Sequence, residues 1–182
     1  MNAKNEGGSA ILPPPCPISF RRARPEELDR LMAIYAAARA FMRESGNPTQ
    51  WPEGYPPRES VAADIGRGAV YVATDGREIL AVFSYEIGRE PVYDRIDGAW
   101  LTAAERYGFM HRLAVSHRGG GIGAACLDFC FSQFPDLRID THESNRPMQA
   151  LLQKCGFSPC GTVDYGPHGT RIAYEKHEKD KG

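Results

Sequence analysis

The sequence predicts an α/β domain in which a mixed β-sheet is covered by helices on both faces. Apolar strand segments alternate with helical segments along the second half of the chain, which is typical of strands joined through helices. Upstream of them, Asp75 and Gly76 separate two apolar runs, and this dipeptide is a strong signal for a hairpin of antiparallel strands. A sheet that contains both arrangements is mixed.

The first half of the domain begins with a predicted strand, where apolar and polar residues alternate. A helix is expected from Pro25, because proline suits the first helical position and two acidic residues follow it in the first turn. A proline-rich segment then indicates a loop. The predicted elements of this half are a strand at 18–22, the helix, a loop at 46–57, a short helix at 60–66, and strands at 69–73 and 79–87.

The second half opens on a segment at 89–101 that has no clear hydrophobic period. Its last predicted helix ends at Gly156, because glycine favours helix C-termini. The predicted elements of this half are a strand at 107–115, a helix at 119–131, a strand at 137–140, a helix at 145–154, and closing strands at 157–163 and 170–174.

Composition and charge narrow the class of protein. The 182 residues include 22 basic and 23 acidic side chains, and the net charge is −1. Nucleic-acid-binding proteins usually have a basic excess, so no nucleic-acid partner is expected. No apolar run is long enough to cross a bilayer, and residues 1–17 lack the pattern of a signal peptide. A cytoplasmic protein without a membrane partner is therefore expected.

The chain is expected to form one domain at 18–175, between a disordered tail at 1–17 and a charged tail at 176–182. Five cysteines occur, an odd number that fits reduced thiols. Cys126 and Cys130 lie one helical turn apart, but no further ligands are spaced for a metal ion. They are interpreted as buried thiols, and no metal is expected.

The most informative motif is a glycine-rich segment between the strand at 107–115 and the next helix. Glycines let the backbone approach a ligand closely, and a helix start offers free N–H groups to a phosphate. The guanidinium of Arg118 lies beside them in the sequence and adds positive charge. The segment therefore predicts a site for a phosphate-bearing ligand.

Glycine-rich segments before a helix also occur in three other contexts. A P-loop would need Lys and then Ser or Thr where Ala124 and Ala125 stand. A dinucleotide-binding fingerprint would need a third glycine at Cys126 and an acidic ribose partner about twenty residues further on. A flexible turn with a helix cap is the simplest alternative, and the glycines alone do not exclude it.

Two motifs in succession resemble the GNAT superfamily of N-acetyltransferases, in a subgroup of undefined acceptor. Arg118-x-x-Gly121-x-Gly123 follows a strand, and Asn145 begins a helix that ends in Gly156-Phe157. The resemblance implies a mixed, mostly antiparallel sheet of six or seven strands and acetyl-CoA as the cosubstrate. It also implies that acetyl-CoA contacts Leu113, Ala114, Val115, Arg118, Gly119, Gly120, Gly121, Ile122, Gly123 and Asn145.

The resemblance further implies direct transfer of the acetyl group to a primary amine, which needs a base. His111 is the candidate base, because its strand leads into the glycine segment and its ordinary pKa suits proton transfer near neutral pH. Glu86, on the preceding strand, is the second candidate. His111 as a packed histidine and Glu86 as an exposed strand residue remain the alternatives. Leu152 stands where many members of the family have an acidic tyrosine.

Four aromatic residues in irregular segments are candidates for the acceptor pocket or for caps of the core: Trp51, Tyr55, Tyr93 and Trp100. The acceptor is expected to be an amine on a small molecule or a peptide. Pairing of two copies through a sheet edge is an option that the resemblance leaves open. The alternative function is an acyl-CoA-binding regulatory or interaction domain without catalysis, which the absence of a tyrosine at Leu152 suggests.

Overall fold

The computed structural model describes residues 17–116 and 119–178. Predictions made for 1–16, for Arg118 and for 179–182 lie outside these ranges. The α/β fold with a mixed sheet and helices on both faces is confirmed. The sheet has eight strands, one more than the upper expectation of seven, because Asp97–Gly98 forms a two-residue strand in the segment without a period.

The strands and helices follow the predicted order with small shifts at their ends. The strands are β1 (Ser19–Arg22), β2 (Val70–Thr74), β3 (Ile79–Gly88), β4 (Asp97–Gly98), β5 (Tyr107–Val115), β6 (Asp136–Thr141), β7 (Ser158–Asp164) and β8 (Thr170–His177). The helices are α1 (Leu28–Glu44), α2 (Arg58–Gly66), α3 (Ile122–Gln133) and α4 (Arg146–Lys154). Strand β8 therefore includes the first two residues of the expected charged tail.

The sheet order is β1-β2-β3-β5-β6-β8-β7-β4. All neighbouring strands are antiparallel except β5 and β6, which run parallel. Helix α3 makes the crossover between these two strands, as parallel pairing requires. The parallel pair lies near the middle of the sheet, and the C-terminal ends of both strands point to the same edge.

Apolar side chains from both faces of the sheet form the core. Helices α3 and α4 pack on one face, where Phe83, Met110 and Ile139 are buried. Helices α1 and α2 pack on the other face over the N-terminal strands, against Val72 and Val82. Because successive strand residues point to opposite faces, alternate residues of β5 and β6 belong to different layers.

Strands β5 and β6 separate before either of them ends. They pair at 108–110 with 137–139, so the C-terminal part of β5 has no strand partner on that side among the described residues. On its other side, β5 has two residues between His111 and Ala114, whereas β3 has only one residue between their partners Ser84 and Val82. This extra residue is a β-bulge, which bends the strand away from β6 and opens a gap between them.

The bulge residue Arg112 has a left-handed backbone conformation, with φ of 56°, which is uncommon for a residue with a side chain. Its guanidinium is only 13% exposed and pairs with the carboxylate of Asp64 in α2. Removing one partner of a largely buried ion pair leaves the other charge without compensation. Asp64 is therefore expected to stabilise the bulge.

We expect Asp64→Ala to lower the free energy of unfolding by about 3 kcal/mol. For a chain of this size, this corresponds to a fall in melting temperature of about 6–12 °C. Asp29→Ala is the matched control, because Asp29 pairs with Arg58 but its side chain is 86% exposed. That control is expected to change stability by less than about 1 kcal/mol. Urea denaturation that gave equal losses for both variants would contradict a stabilising role for Asp64.

Candidate active site

A cleft of about 1080 Å³ occupies the gap between β5 and β6. Its walls come from α1, from the loop at 50–57, from the C-terminal parts of the two strands, and from the beginnings of α3 and α4. Clefts between separating strands of an α/β sheet are common ligand sites, and this volume exceeds that of most cavities that hold a drug-sized ligand.

The glycine segment forms one end of the cleft. Gly119, Gly120 and Gly121 all have positive φ angles, of 94°, 65° and 71°, which non-glycine residues rarely adopt. Gly121 is the N-cap of α3, and its carbonyl accepts the first bond of the helix from Ala125. The amide groups that precede Ala125 in the helix have no acceptor within it. They form a positively polarised end that suits an anion.

Gly123 has a different role. A Cβ atom at this position would lie 2.9 Å from the Cδ2 atom of Leu151, which is too close for a normal contact. Gly123 therefore lets α3 pack closely against α4. Two glycines of the same short motif thus have distinct functions, since Gly121 shapes the cradle and Gly123 allows two helices to meet.

The structure brings most of the residues predicted to contact acetyl-CoA to this cleft. Those that line it are Leu113, Ala114, Val115, Gly119, Gly121, Ile122, Gly123 and Asn145. Gly120 lies within the same turn, whereas Arg118 lies outside the described residues. Both ends of the Asn145 side chain already have partners, because its oxygen accepts from the backbone of Met148 and its nitrogen donates to Gln50. Asn145 therefore caps α4 and anchors the loop at 50–57.

The other end of the cleft holds His111 between two carboxylates. Its Nε2 atom lies 3.1 Å from Oε2 of Glu90, and its Nδ1 atom lies 3.7 Å from Oδ2 of Asp140. The same Asp140 oxygen accepts hydrogen bonds from the hydroxyl groups of Tyr93 and Tyr165, each at 2.8 Å. An ionised carboxylate can only accept, so Nε2 carries the proton in its bond to Glu90.

The two carboxylates control the protonation of His111. Burial lowers the pKa of this imidazole. The hydrogen bond to Glu90 and the negative charges of Asp140 and Glu90 raise the pKa by a larger amount, so it lies above its ordinary value. In return, the hydrogen bond from His111 holds the pKa of Glu90 below its usual range. His111 is therefore a stronger base than a free imidazole, with Glu90 ionised beside it.

Glu86, the second candidate base, does not line this cleft. In the sheet register it pairs with Phe109, whereas Ser84 is the residue opposite His111. Its carboxylate lies 2.8 Å from the guanidinium of Arg67, next to a separate, smaller pocket. The glutamate that does reach His111 is Glu90, just beyond the end of β3. Glu90 could not be identified from the sequence, because the segment at 89–101 has no hydrophobic period that would indicate where its side chain points.

The four aromatic candidates divide into two pairs. Trp51 and Tyr55 line the cleft, and Trp51 also packs against Tyr35 with ring centroids 5.8 Å apart. Tyr93 and Trp100 belong to a small core cluster beneath the site and do not line the cleft. Tyr93 acts on the site indirectly, through its hydrogen bond to Asp140.

The cleft wall formed by α4 has no hydroxyl group at the position of the family's tyrosine. Leu152 is fully buried in the core, and its neighbour Leu151 faces the cleft instead. On the facing strand, the hydroxyl group of Thr141 is buried in the cleft wall and has no hydrogen-bond partner among the described residues. The described residues therefore leave this hydroxyl available as a donor.

The described cysteines lie away from the cleft. Cys126 and Cys130 are buried in the core, as expected, and Cys155 and Cys160 are half-buried. Within residues 17–116 and 119–178, no group of three or more His, Cys, Asp or Glu side chains is arranged to hold a metal ion. In the same ranges, no helix has the length and apolar character needed to cross a bilayer.

Comparison with known proteins identifies the class of protein that this fold and cleft define. Residues 31–157 match the model of the acetyltransferase (GNAT) family. The chain belongs to this family and is an acetyltransferase, as the two sequence motifs predicted. Members of the family normally use acetyl-CoA. A search of curated protein sequences gave no match.

Solved structures agree with this assignment. A GNAT-family acetyltransferase from Streptococcus agalactiae 2603 is 35% identical with a TM-score of 0.81, and the match covers 90% of this chain and 96% of that one. A GNAT-family acetyltransferase from Listeria monocytogenes 4b F2365 shares the fold at 20% identity, with a TM-score of 0.66 and coverage of 88% and 95%. One from Bacillus cereus ATCC 10987 shares it at 18% identity, with a TM-score of 0.59 and coverage of 89% and 98%.

Proposed function

We propose that the protein transfers an acetyl group from acetyl-CoA to a primary amine, with both substrates bound in the cleft at the same time. The observation that carries the proposal is the presence of two chemically different ends in one cleft. The glycine cradle suits a pyrophosphate, and the imidazole of His111 between two carboxylates suits a protonated amine.

The residues of the cleft fit acetyl-CoA. Apart from their chain neighbours, no described residue has an atom within 4 Å of a Cβ atom placed on Gly119 or Gly121, so this part of the cradle has room for phosphate oxygens. The edge of β5 that faces the gap has no strand partner after Met110, which leaves backbone groups for the amides of the pantetheine arm. The unpartnered hydroxyl of Thr141 is a further donor inside the gap.

Proton transfer is the step that the described residues perform most clearly. An ammonium group has no lone pair, so it must lose a proton before its nitrogen can attack the thioester carbonyl. Neutral His111 accepts this proton at Nδ1, and Glu90 stabilises the resulting imidazolium through Nε2. The new C–N bond then forms as the C–S bond breaks and CoA leaves as a thiolate. The nitrogen gives its remaining extra proton to this thiolate, so the products are a neutral amide and the CoA thiol. The acidity of a CoA thiol makes the absence of a tyrosine at Leu152 tolerable.

An acetyl-cysteine intermediate has little support. Burial raises the pKa of Cys126 to about 12, so its thiolate is scarce at neutral pH. None of the four described cysteines lines the cleft. Direct transfer to the amine is therefore the mechanism that we propose.

The proposal is tested by thiol release from acetyl-CoA across a panel of polyamines, arylalkylamines, amino acids, aminoglycosides and peptide N-termini. We expect at least one amine class to raise the rate well above acceptor-free hydrolysis, with intersecting lines in initial-velocity plots. Parallel lines would contradict direct transfer. Tight binding of acetyl-CoA without thiol release for any amine would contradict catalysis and support the acyl-CoA-binding regulatory domain.

A further inference from the structure

Within the described residues, one charged side chain of the cleft has no partner of opposite charge. Arg171 is only 7% exposed and lines the cleft, and its Nη1 atom donates to the carbonyl groups of His168 and Thr170. Its guanidinium lies 5.6 Å from the ring centroid of Tyr165. No carboxylate in the described part of the chain forms an ion pair with it, so its Nε and Nη2 donors have no anionic acceptor.

The other largely buried arginines of the described chain behave differently. Arg112 pairs with Asp64, and Arg138 lies 3.1 Å from the carboxylate of Glu175. Taking a guanidinium out of water is unfavourable unless an anion compensates for the lost hydration. When a buried arginine lines a ligand cleft and lacks such an anion, an anionic group of the ligand can provide this compensation.

Arg171 lies on the same face of the sheet as His111, at the end of the cleft where the acceptor amine is proposed to bind. In β8, Ile172 and Tyr174 pack on the layer of α3 and α4, so Arg171 points to the opposite face of the sheet. By the same alternation, His111 and Asp140 are on this opposite face, because Met110 and Ile139 belong to the layer of α3. The ring of Tyr165 connects the two groups, with its hydroxyl on Asp140 and its face near Arg171.

We propose that the acetyl acceptor is an amine that also carries a carboxylate, and that Arg171 binds this carboxylate. Glu90 and Asp140 attract the ammonium group, and the guanidinium of Arg171 receives the carboxylate at the other side of Tyr165. An arginine fork matches a carboxylate through two parallel hydrogen bonds. The substrate class is therefore a small amino acid. This inference rests on the proposed acetyl transfer to an amine.

The first test uses the wild-type protein and matched acceptors. The fastest amino acid from a panel of α-amino acids and their longer ω-amino homologues is compared with its carboxamide and with the corresponding amine that lacks the carboxylate. We expect kcat/KM for the amino acid to exceed that for the carboxamide by about ten- to a hundredfold, as for loss of a hydrogen-bonded charge. Equal values for the three acceptors would overturn the inference.

The second test assigns this preference to Arg171. Arg171→Gln is expected to raise KM for the amino acid and to bring the ratio of amino acid to carboxamide close to one, with unchanged affinity for acetyl-CoA. Arg171→Lys keeps the charge and is expected to restore part of the preference. Arg77→Gln, in the exposed β2–β3 turn, is the control that should leave the ratio as in the wild type.

The outcomes separate this inference from the proposed function. If the simple amines react as well as the amino acids, acetyl transfer stands and the carboxylate site is wrong. If no amine supports thiol release, the proposed function itself fails. A preference for the carboxylate that survives in a folded Arg171→Gln variant would assign the recognition to another residue and overturn the role of Arg171.

Discussion

Replacing Gly121 with aspartate is expected to weaken acetyl-CoA binding by at least about a hundredfold. The aspartate side chain would project into the space reserved for the pyrophosphate and bring a negative charge to an anion site. It would also remove several charge-assisted bonds from backbone amides, each worth about tenfold or more in affinity. Isothermal titration calorimetry with acetyl-CoA measures this loss directly.

The chain offers a matched control for this substitution. Gly76, in the β2–β3 turn, has a positive φ of 86° and open space around its Cβ position, much as Gly121 does. Gly76→Asp carries the same backbone cost of about 1–2 kcal/mol and the same added charge. It should therefore lose similar stability but keep its affinity for acetyl-CoA. A folded Gly121→Asp variant with wild-type affinity would show that the pyrophosphate binds elsewhere.

Much of the fold could be predicted from the sequence, because its main elements carry a local signal. The helical spacing of apolar residues in α1 and the glycine segment before α3 can both be recognised from neighbouring residues in the sequence. Strand β4 could not be predicted, since its two residues form a strand by pairing with Thr162 and Gly161 of β7. Such a strand depends on a distant segment and has no hydrophobic period of its own.

The site was predictable only in part, for a similar reason. The cradle is one continuous segment, and His111 lies on the strand that leads into it, so both could be proposed from the sequence. Glu90, Asp140 and Arg171 come from three other segments and meet only when the sheet assembles. Nothing in their neighbouring residues distinguishes them from ordinary surface charges.

The protonation state of His111 depends on two carboxylates from other segments, which the residues around His111 in the sequence do not reveal. Burial alone favours the neutral imidazole. Burial does lower its pKa, but Glu90 and Asp140 outweigh this effect and raise the pKa overall. We therefore expect the free enzyme to reach full activity at a higher pH than it would if His111 had the ordinary pKa of an imidazole.

Replacing His111 with alanine is expected to lower kcat by about 10²- to 10⁴-fold, the usual loss for a general base. Affinity for acetyl-CoA should change little, because the glycine cradle is at the other end of the cleft. The variant should also lose the acidic limb of the pH–rate profile. Higher pH should partly rescue it, since more of the acceptor amine is then already deprotonated. Near-wild-type kcat with an unchanged acidic limb would make His111 a packing residue.

Glu90→Gln separates the chemical function of His111 from its packing. The substitution keeps the size of the side chain but removes the negative charge that lies 3.1 Å from Nε2. Because the Glu90 carboxylate raises the pKa of His111, its loss should lower this pKa. The acidic limb of kcat/KM, which reports the base in the free enzyme, should then move to lower pH. A structural role for Glu90 would reduce activity at every pH without moving the limb. A shift to higher pH would contradict the proposed pairing.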